Sequence, residues 1–78
     1  MTIAPKLSLD FKGLACPMPT MKIAQIVKQL EVGEEVEGVA TDPGVMLDIP
    51  AWARRTGNEV VCLEKRDRDY HFVIRRLR

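Results

Sequence analysis

The sequence predicts an α+β fold, a two-layer sandwich with both helices on one face of a four-stranded mixed sheet. Three observations carry that expectation. Stretches of period-two alternation and stretches of three- and four-residue apolar spacing follow one another in the order β-α-β-α-β-β. The last two strands flank a short polar connection, which makes them a hairpin and closes the sheet. The length, 78 residues, suffices for one domain, expected to span 1–78 with an ordered core over about 7–77.

Each element has a local reason. Lys6 to Phe11 alternates Leu7, Leu9 and Phe11 with Lys6, Ser8 and Asp10, and reads as a strand that Gly13 ends. From Pro17 the period changes: Met18, Met21, Ile23, Ala24, Ile26, Val27 and Leu30 predict a helix over about 17–31, closed by Gly33. Glu35 to Ala40 alternates again, with Val36, Gly38 and Ala40 on one face, and Thr41-Asp42-Pro43-Gly44 is turn chemistry. A second helix holds Leu47, Ile49, Trp52 and Ala53 and stops at Gly57. Pro50 would break it if it began at Pro43, so an irregular turn over 43–47 is expected, with the helix starting near Asp48. Glu59 to Lys65 and Tyr70 to Leu77, rich in β-formers, enclose the hairpin connection from Arg66 to Asp69.

Composition narrows the function classes. A domain this small buries only roughly 60% of the surface its unfolded chain exposes, so it cannot enclose a deep substrate cavity, and its chemistry is expected to sit on the surface or be completed by a partner. With 46% apolar and 29% charged residues it is neither disordered nor membrane-embedded. Met1 through Leu9 shows no basic flank followed by a long apolar run, so neither a secretory signal nor a spanning helix is expected, and the cytoplasm is the expected compartment. Two cysteines are too few for a disulfide framework and stay reduced there. Charge is uneven: residues 1–53 carry −3 and residues 54–78 carry +4. The arginines at 54, 55, 66, 68, 75, 76 and 78 could attract RNA or an acidic protein face, although a solvated surface accounts for them as well.

One segment carries chemistry: Gly13-Leu14-Ala15-Cys16-Pro17-Met18-Pro19. Proline after the cysteine suits the first helical position and puts Cys16 at the cap, facing unpaired amides and the positive end of the helix dipole. Such a site is expected to lower a thiol pKa from about 8.5 toward neutrality. Pro19 stiffens the same turn. Read by position alone, Cys16 is as well explained as a small buried hydrophobe; the flanking prolines tilt the reading toward a nucleophile.

Gly13-Leu14-x-Cys16-Pro17-x-Pro19 after a short strand resembles the signature of the TusA/SirA-like sulfurtransferases. Asp42-Pro43 and Asp48-Ile49-Pro50-Ala51-Trp52 resemble the second characteristic stretch of that family, and Phe72-x-Ile74-Arg75 its last strand. The resemblance implies the same β-α-β-α-β-β sandwich and a persulfide carried on Cys16, with no cofactor. It implies a cysteine desulfurase or rhodanese-type donor and a downstream acceptor protein. Endpoints of the family are tRNA thiolation, in which tRNA would be reached only indirectly, molybdenum-cofactor supply and sulfur oxidation. Gly13, Pro17, Met18, Pro19, Asp42 and Asp48 are expected to shape the site or touch partners. Monomer is the expected state for a carrier that docks with several enzymes.

The remaining candidates read as structural. Cys62 is expected to pack in a strand, and no CxxC pair supports dithiol exchange. Cys16, Cys62 and His71 lack clustered ligand spacing, so no metal is expected. His71 should point away from the face formed by Tyr70, Phe72 and Ile74, and Trp52 should be core. Asp42 and Asp48 read first as turn and cap residues. Met18 and Met21 are either core or an adaptable apolar rim beside Cys16. Two alternatives to sulfur carriage stay open: an RNA- or protein-binding module using the arginine-rich third, and a regulatory adaptor with the same fold. The lack of clustered aromatics counts against single-strand recognition.

Overall fold

A computed structural model describes residues 7–78. Lys6 of the expected first strand, and most of the N-terminal stretch read for a targeting signal, lie outside the described residues. The elements are β1 (Leu7–Phe11), α1 (Met18–Val27), β2 (Glu35–Ala40), α2 (Val45–Thr56), β3 (Glu59–Arg66) and β4 (Asp69–Arg75). They form a four-stranded sheet in the order β1-β2-β4-β3. β1 and β2 run parallel, joined through α1, and the other two pairings are antiparallel.

The register explains the core. Leu9 stands beside Gly38, Phe11 beside Ala40, Val36 beside Ile74 and Gly38 beside Phe72. Because side chains alternate across a sheet, these residues share one face. Against it α1 buries Ile23 and Val27, and α2 buries Val45, Ile49, Trp52 and Ala53. Phe11 and Phe72 meet with ring centroids 6.1 Å apart, in the tilted geometry aromatic pairs prefer. Gly38 is required here: a Cβ on it would overlap the Phe72 ring. The opposite sheet face carries Ser8, Glu37, Val39, Cys62, His71 and Val73, with no helix over it among the described residues.

Several boundaries differ from the sequence expectation. α1 begins at Met18, with Pro17 as its cap, and α-helical bonding stops at Val27. Tighter bonds from Gln29 to the Ile26 carbonyl and from Leu30 to the Val27 carbonyl carry the chain on, so Leu30 stays buried. Gly33 is therefore no helix cap. It turns the chain at φ +95° and donates its amide to the Arg76 carbonyl, fastening β2's entry to β4's exit.

α2 begins at Val45 rather than near Asp48, and Pro50 lies inside it. The expected irregularity survives in a milder form, as i→i−3 bonds from Val45, Met46 and Leu47 to the carbonyls of Asp42, Pro43 and Gly44. Proline deletes one amide, leaving the Met46 carbonyl without its usual partner near an exposed helix end. Gly57 ends α2 as expected, left-handed at φ +77°, donating to the Ala53 carbonyl. β4 stops at Arg75, two residues short of the expected end, and β3 bulges between Val60 and Cys62.

Much of the arginine-rich third is committed to holding this fold. Arg75 donates through Nε to Glu35 at 2.8 Å and through Nη1 to Glu59 at 2.9 Å, clasping β2, β4 and β3. Arg76 donates to the Lys28 and Leu30 carbonyls, and Arg66 pairs with Glu64. Among the described residues no helix is long and apolar enough to cross a membrane.

Candidate functional site

Two loops meet at the ends of the parallel strands. The first, after β1, carries Gly13 to Pro17; the second, after β2, carries Thr41 to Gly44. Parallel neighbours joined through a helix deliver their exits to the same edge of the sheet, so residues 26 positions apart become contacts. Gly13 takes φ +85° and donates its amide to Thr41 Oγ1 at 2.9 Å. Asp42 ties the loops more tightly. Its Oδ2 accepts the Cys16 amide at 3.0 Å, and its Oδ1 accepts the Gly44 amide at 2.7 Å.

Cys16 is half-buried where the loops cross, packed against the edge of the core. The Cys16–Pro17 peptide bond is cis. The thiol touches the second loop closely: a Cβ added to Gly44 would lie 3.1 Å from Sγ. Gly44 is right-handed at φ −60°, so what calls for glycine there is space beside sulfur, not backbone freedom. Asp48, one turn into α2, stands close enough to the thiol to bear on its titration.

This environment reverses one expectation. Burial and the nearby carboxylates of Asp48 and Asp42 push the Cys16 thiol up to about 11. The expected lowering by the helix start fails for a local reason. Cys16 precedes the cap, Pro17 and Pro19 carry no N–H, and the Met18 amide is already bonded to the Ala15 carbonyl. The prolines that admit the cysteine thus strip the helix end of amides that could hold a thiolate. Asp42, by contrast, is held below the usual carboxylate range by the Cys16 and Gly44 amides.

The other expected site residues fall into place unevenly. Pro17 is exposed beside the thiol, whereas Pro19 is fully buried and acts on the site only through packing. Asp48 does not cap α2; Gly44 holds that position. Met18 and Met21 are 42% and 52% exposed, so they are not core. Met46 and Leu47, from the first turn of α2, join them, Leu47 at 78% exposed. The sequence reading missed Thr41, Gly44, Met46 and Leu47. An apolar residue at the solvent side of a helix start was the available signal for Leu47; nothing local marked Thr41 or Gly44 as neighbours of Cys16.

Cys62 and His71 lie apart from this site, on the open sheet face, where Cys62 stands beside Val73 and His71 beside Glu64. Among the described residues no three His, Cys, Asp or Glu side chains gather as metal ligands.

Fold and site define a small domain that presents one half-exposed thiol between two helix starts. The chain matches the family described as Sulfurtransferase TusA over residues 7–76, and it belongs to that family. It is 34% identical over 68 residues to the sulfur carrier protein TusA of Allochromatium vinosum, covering 87% of this chain and 90% of that one. A protein of Archaeoglobus fulgidus named "Putative sulfur carrier protein" is 36% identical over 70 residues, 90% of this chain and 96% of the other. A Bacillus subtilis relative, YrkF, is 50% identical over 56 residues, and there the match spans 72% of this chain and 30% of the relative. The role is sulfur carriage, which entails protein donors and acceptors of sulfur in general.

Proposed function

We propose that the chain carries sulfane sulfur as a persulfide on Cys16, loaded by a cysteine desulfurase or rhodanese-type donor and unloaded to an acceptor protein. The observation that supports this reading best is the placement of Cys16: half-exposed, at a two-loop junction, inside an exposed rim of Met18, Met21, Met46 and Leu47. Exposed, flexible apolar side chains at both helix starts suit docking with more than one partner.

The transfer balances without an external oxidant. Cys16 sulfur attacks the outer sulfur of the donor persulfide, a new S–S bond forms, and the donor's S–S bond breaks. The donor cysteine leaves as a thiolate and takes up the proton that Cys16 gives away. Unloading repeats the exchange with the acceptor as nucleophile. A thiol titrating near 11 is only about 0.1% ionised at pH 8, so the resting carrier is a weak nucleophile. Activation then belongs to the docked complex, in which a partner's cation or base offsets Asp42 and Asp48. tRNA thiolation, molybdenum-cofactor supply and sulfur oxidation are the candidate destinations, all reached through a protein acceptor.

Mass spectrometry after incubation with a cysteine desulfurase and cysteine is expected to show one added sulfur atom. The gain should vanish in Cys16→Ser and persist in Cys62→Ser. An unchanged wild-type mass with desulfurase and rhodanese donors alike overturns the reading. The alternative of an RNA-binding module loses ground to the structure's use of Arg75 and Arg76 as fold-holding groups.

A further inference from the structure

The outer surface between α1 and α2 is a continuous groove. Near the site it forms a cavity of about 310 Å³ lined by Pro17, Thr20, Met21, Asp48 and Ala51, with Ala24, Trp52 and Arg55 deeper along it. Ala24, Trp52 and Arg55 also line a second cavity of about 370 Å³, which continues to Lys28, Arg76 and Arg78. The small side chains of Ala24 and Ala51 open the groove, and the buried Trp52 ring, 4% exposed, is its floor. The two ends differ in charge. Asp48 marks the end beside Cys16; four cations and no carboxylate line the far end.

We propose that this groove is the docking track for a sulfur partner. It takes an extended segment with its reactive cysteine at the Asp48 end and acidic side chains at the Lys28, Arg55 and Arg78 end. The inference rests on the sulfur-carrier reading and adds to it what the partner must look like. Complementary charge at one end of an apolar track fixes the direction in which a segment lies. The spacing follows from the helix. Pro17 to Lys28 advances about 16 Å along α1, which an extended chain covers in about five residues. The acidic residues of the partner therefore stand about five positions from its sulfur-bearing cysteine. A protein segment fits better than a nucleic acid: the walls are apolar, Trp52 is buried instead of offered for stacking, and Asp48 repels a phosphate chain running the whole track.

The test uses the full chain carrying Cys62→Ser, so that Cys16 is the only thiol. Its probes are synthetic peptides with one cysteine as a chromogenic mixed disulfide, a five-residue Ala/Gly spacer, and three Glu or three Lys. Cys16 attacks the peptide sulfur, and release of the chromophoric thiolate reports the rate. At low ionic strength the Glu peptide is expected to react at least tenfold faster than the Lys peptide. The gap should shrink with added salt and close or invert in K28E/R55E, both positions being exposed. Equal rates for wild type and K28E/R55E with uncharged dithiodipyridine show that thiol and fold are unchanged; should they differ, K28Q/R55Q replaces the variant in the same comparison.

Equal rates for the two peptides overturn the proposal. So does an advantage that survives the charge substitutions, or one that is unaltered when the Glu residues are moved next to the cysteine. A short single-stranded oligouridine that displaces the Glu peptide at lower concentration than a cysteine-free Glu peptide overturns it in favour of nucleic acid. Disulfide exchange needs no persulfide chemistry. Failure of loading by desulfurase and rhodanese donors alike, with an intact Glu preference, therefore sinks the sulfur-carrier reading alone, and loading without the preference sinks the groove alone.

Discussion

Cys16 is governed by residues far from it in sequence. Asp42 and Asp48 face it across the loop junction, and both hold its proton in place. Asp48→Asn is expected to bring the thiol's titration below 11, with alkylation by iodoacetamide at pH 8 rising about tenfold for each unit of the fall. A rate-against-pH profile that does not move contradicts the role given to Asp48. Asp42 makes the opposite prediction for the fold. Its carboxyl is lowered in the native state, so the stability it contributes is present above the ordinary carboxylate value and lost as pH falls through the lowered one. Urea midpoints of wild type and Asp42→Asn should therefore differ at pH 7 and converge as the pH falls past the ordinary carboxylate value and through the lowered one. The sequence made Cys16 legible through its prolines, and Asp42 legible as a turn residue. It could not show that two carboxylates converge on one sulfur, because only the parallel pairing of β1 and β2 brings the loops together.

At the scale of the elements, periodicity located both helices and all four strands, and it failed where the backbone had a choice the side chains do not announce. The apolar run through Leu30 is real burial, but tighter turns deliver it where an extended α1 was expected. Pro50 placed the expected start of α2 near Asp48, yet the helix begins three residues earlier, at Val45, where the Asp42 turn already aligns its first amides. Gly38 is the sharpest case of a small residue set by its neighbour. Gly38→Ala is expected to lower stability by about 1–3 kcal/mol, since the Phe72 ring must move; chemical denaturation measures it. Thr20 points the other way. Its hydroxyl is buried in α1 with no partner among the described residues, so Thr20→Val should be neutral or stabilising by about 1 kcal/mol.

For the whole molecule, the uneven charge was legible but its use was not. Composition could count the arginines near the C-terminal end; only the folded sheet shows that Arg75 closes three strands onto a buried Glu35. Arg75→Ala should lower the thermal midpoint more than Glu59→Ala does, because it strands a buried carboxylate while the latter frees an exposed one. Two exposed arginines, Arg55 and Arg78, stand with Lys28 at one end of the interhelical groove, and Asp48 stands at the other. A net charge of +1 conceals that separation.

The proline-stripped start of α1 has a consequence for how the empty protein ages. Peroxide attacks thiolates, and each step past sulfenic acid is hard to reverse. A cysteine kept protonated between deliveries is spared most of that damage, although it sits in reach of solvent. The arrangement that makes Cys16 a slow nucleophile when alone thereby preserves it as an intact one for the next encounter.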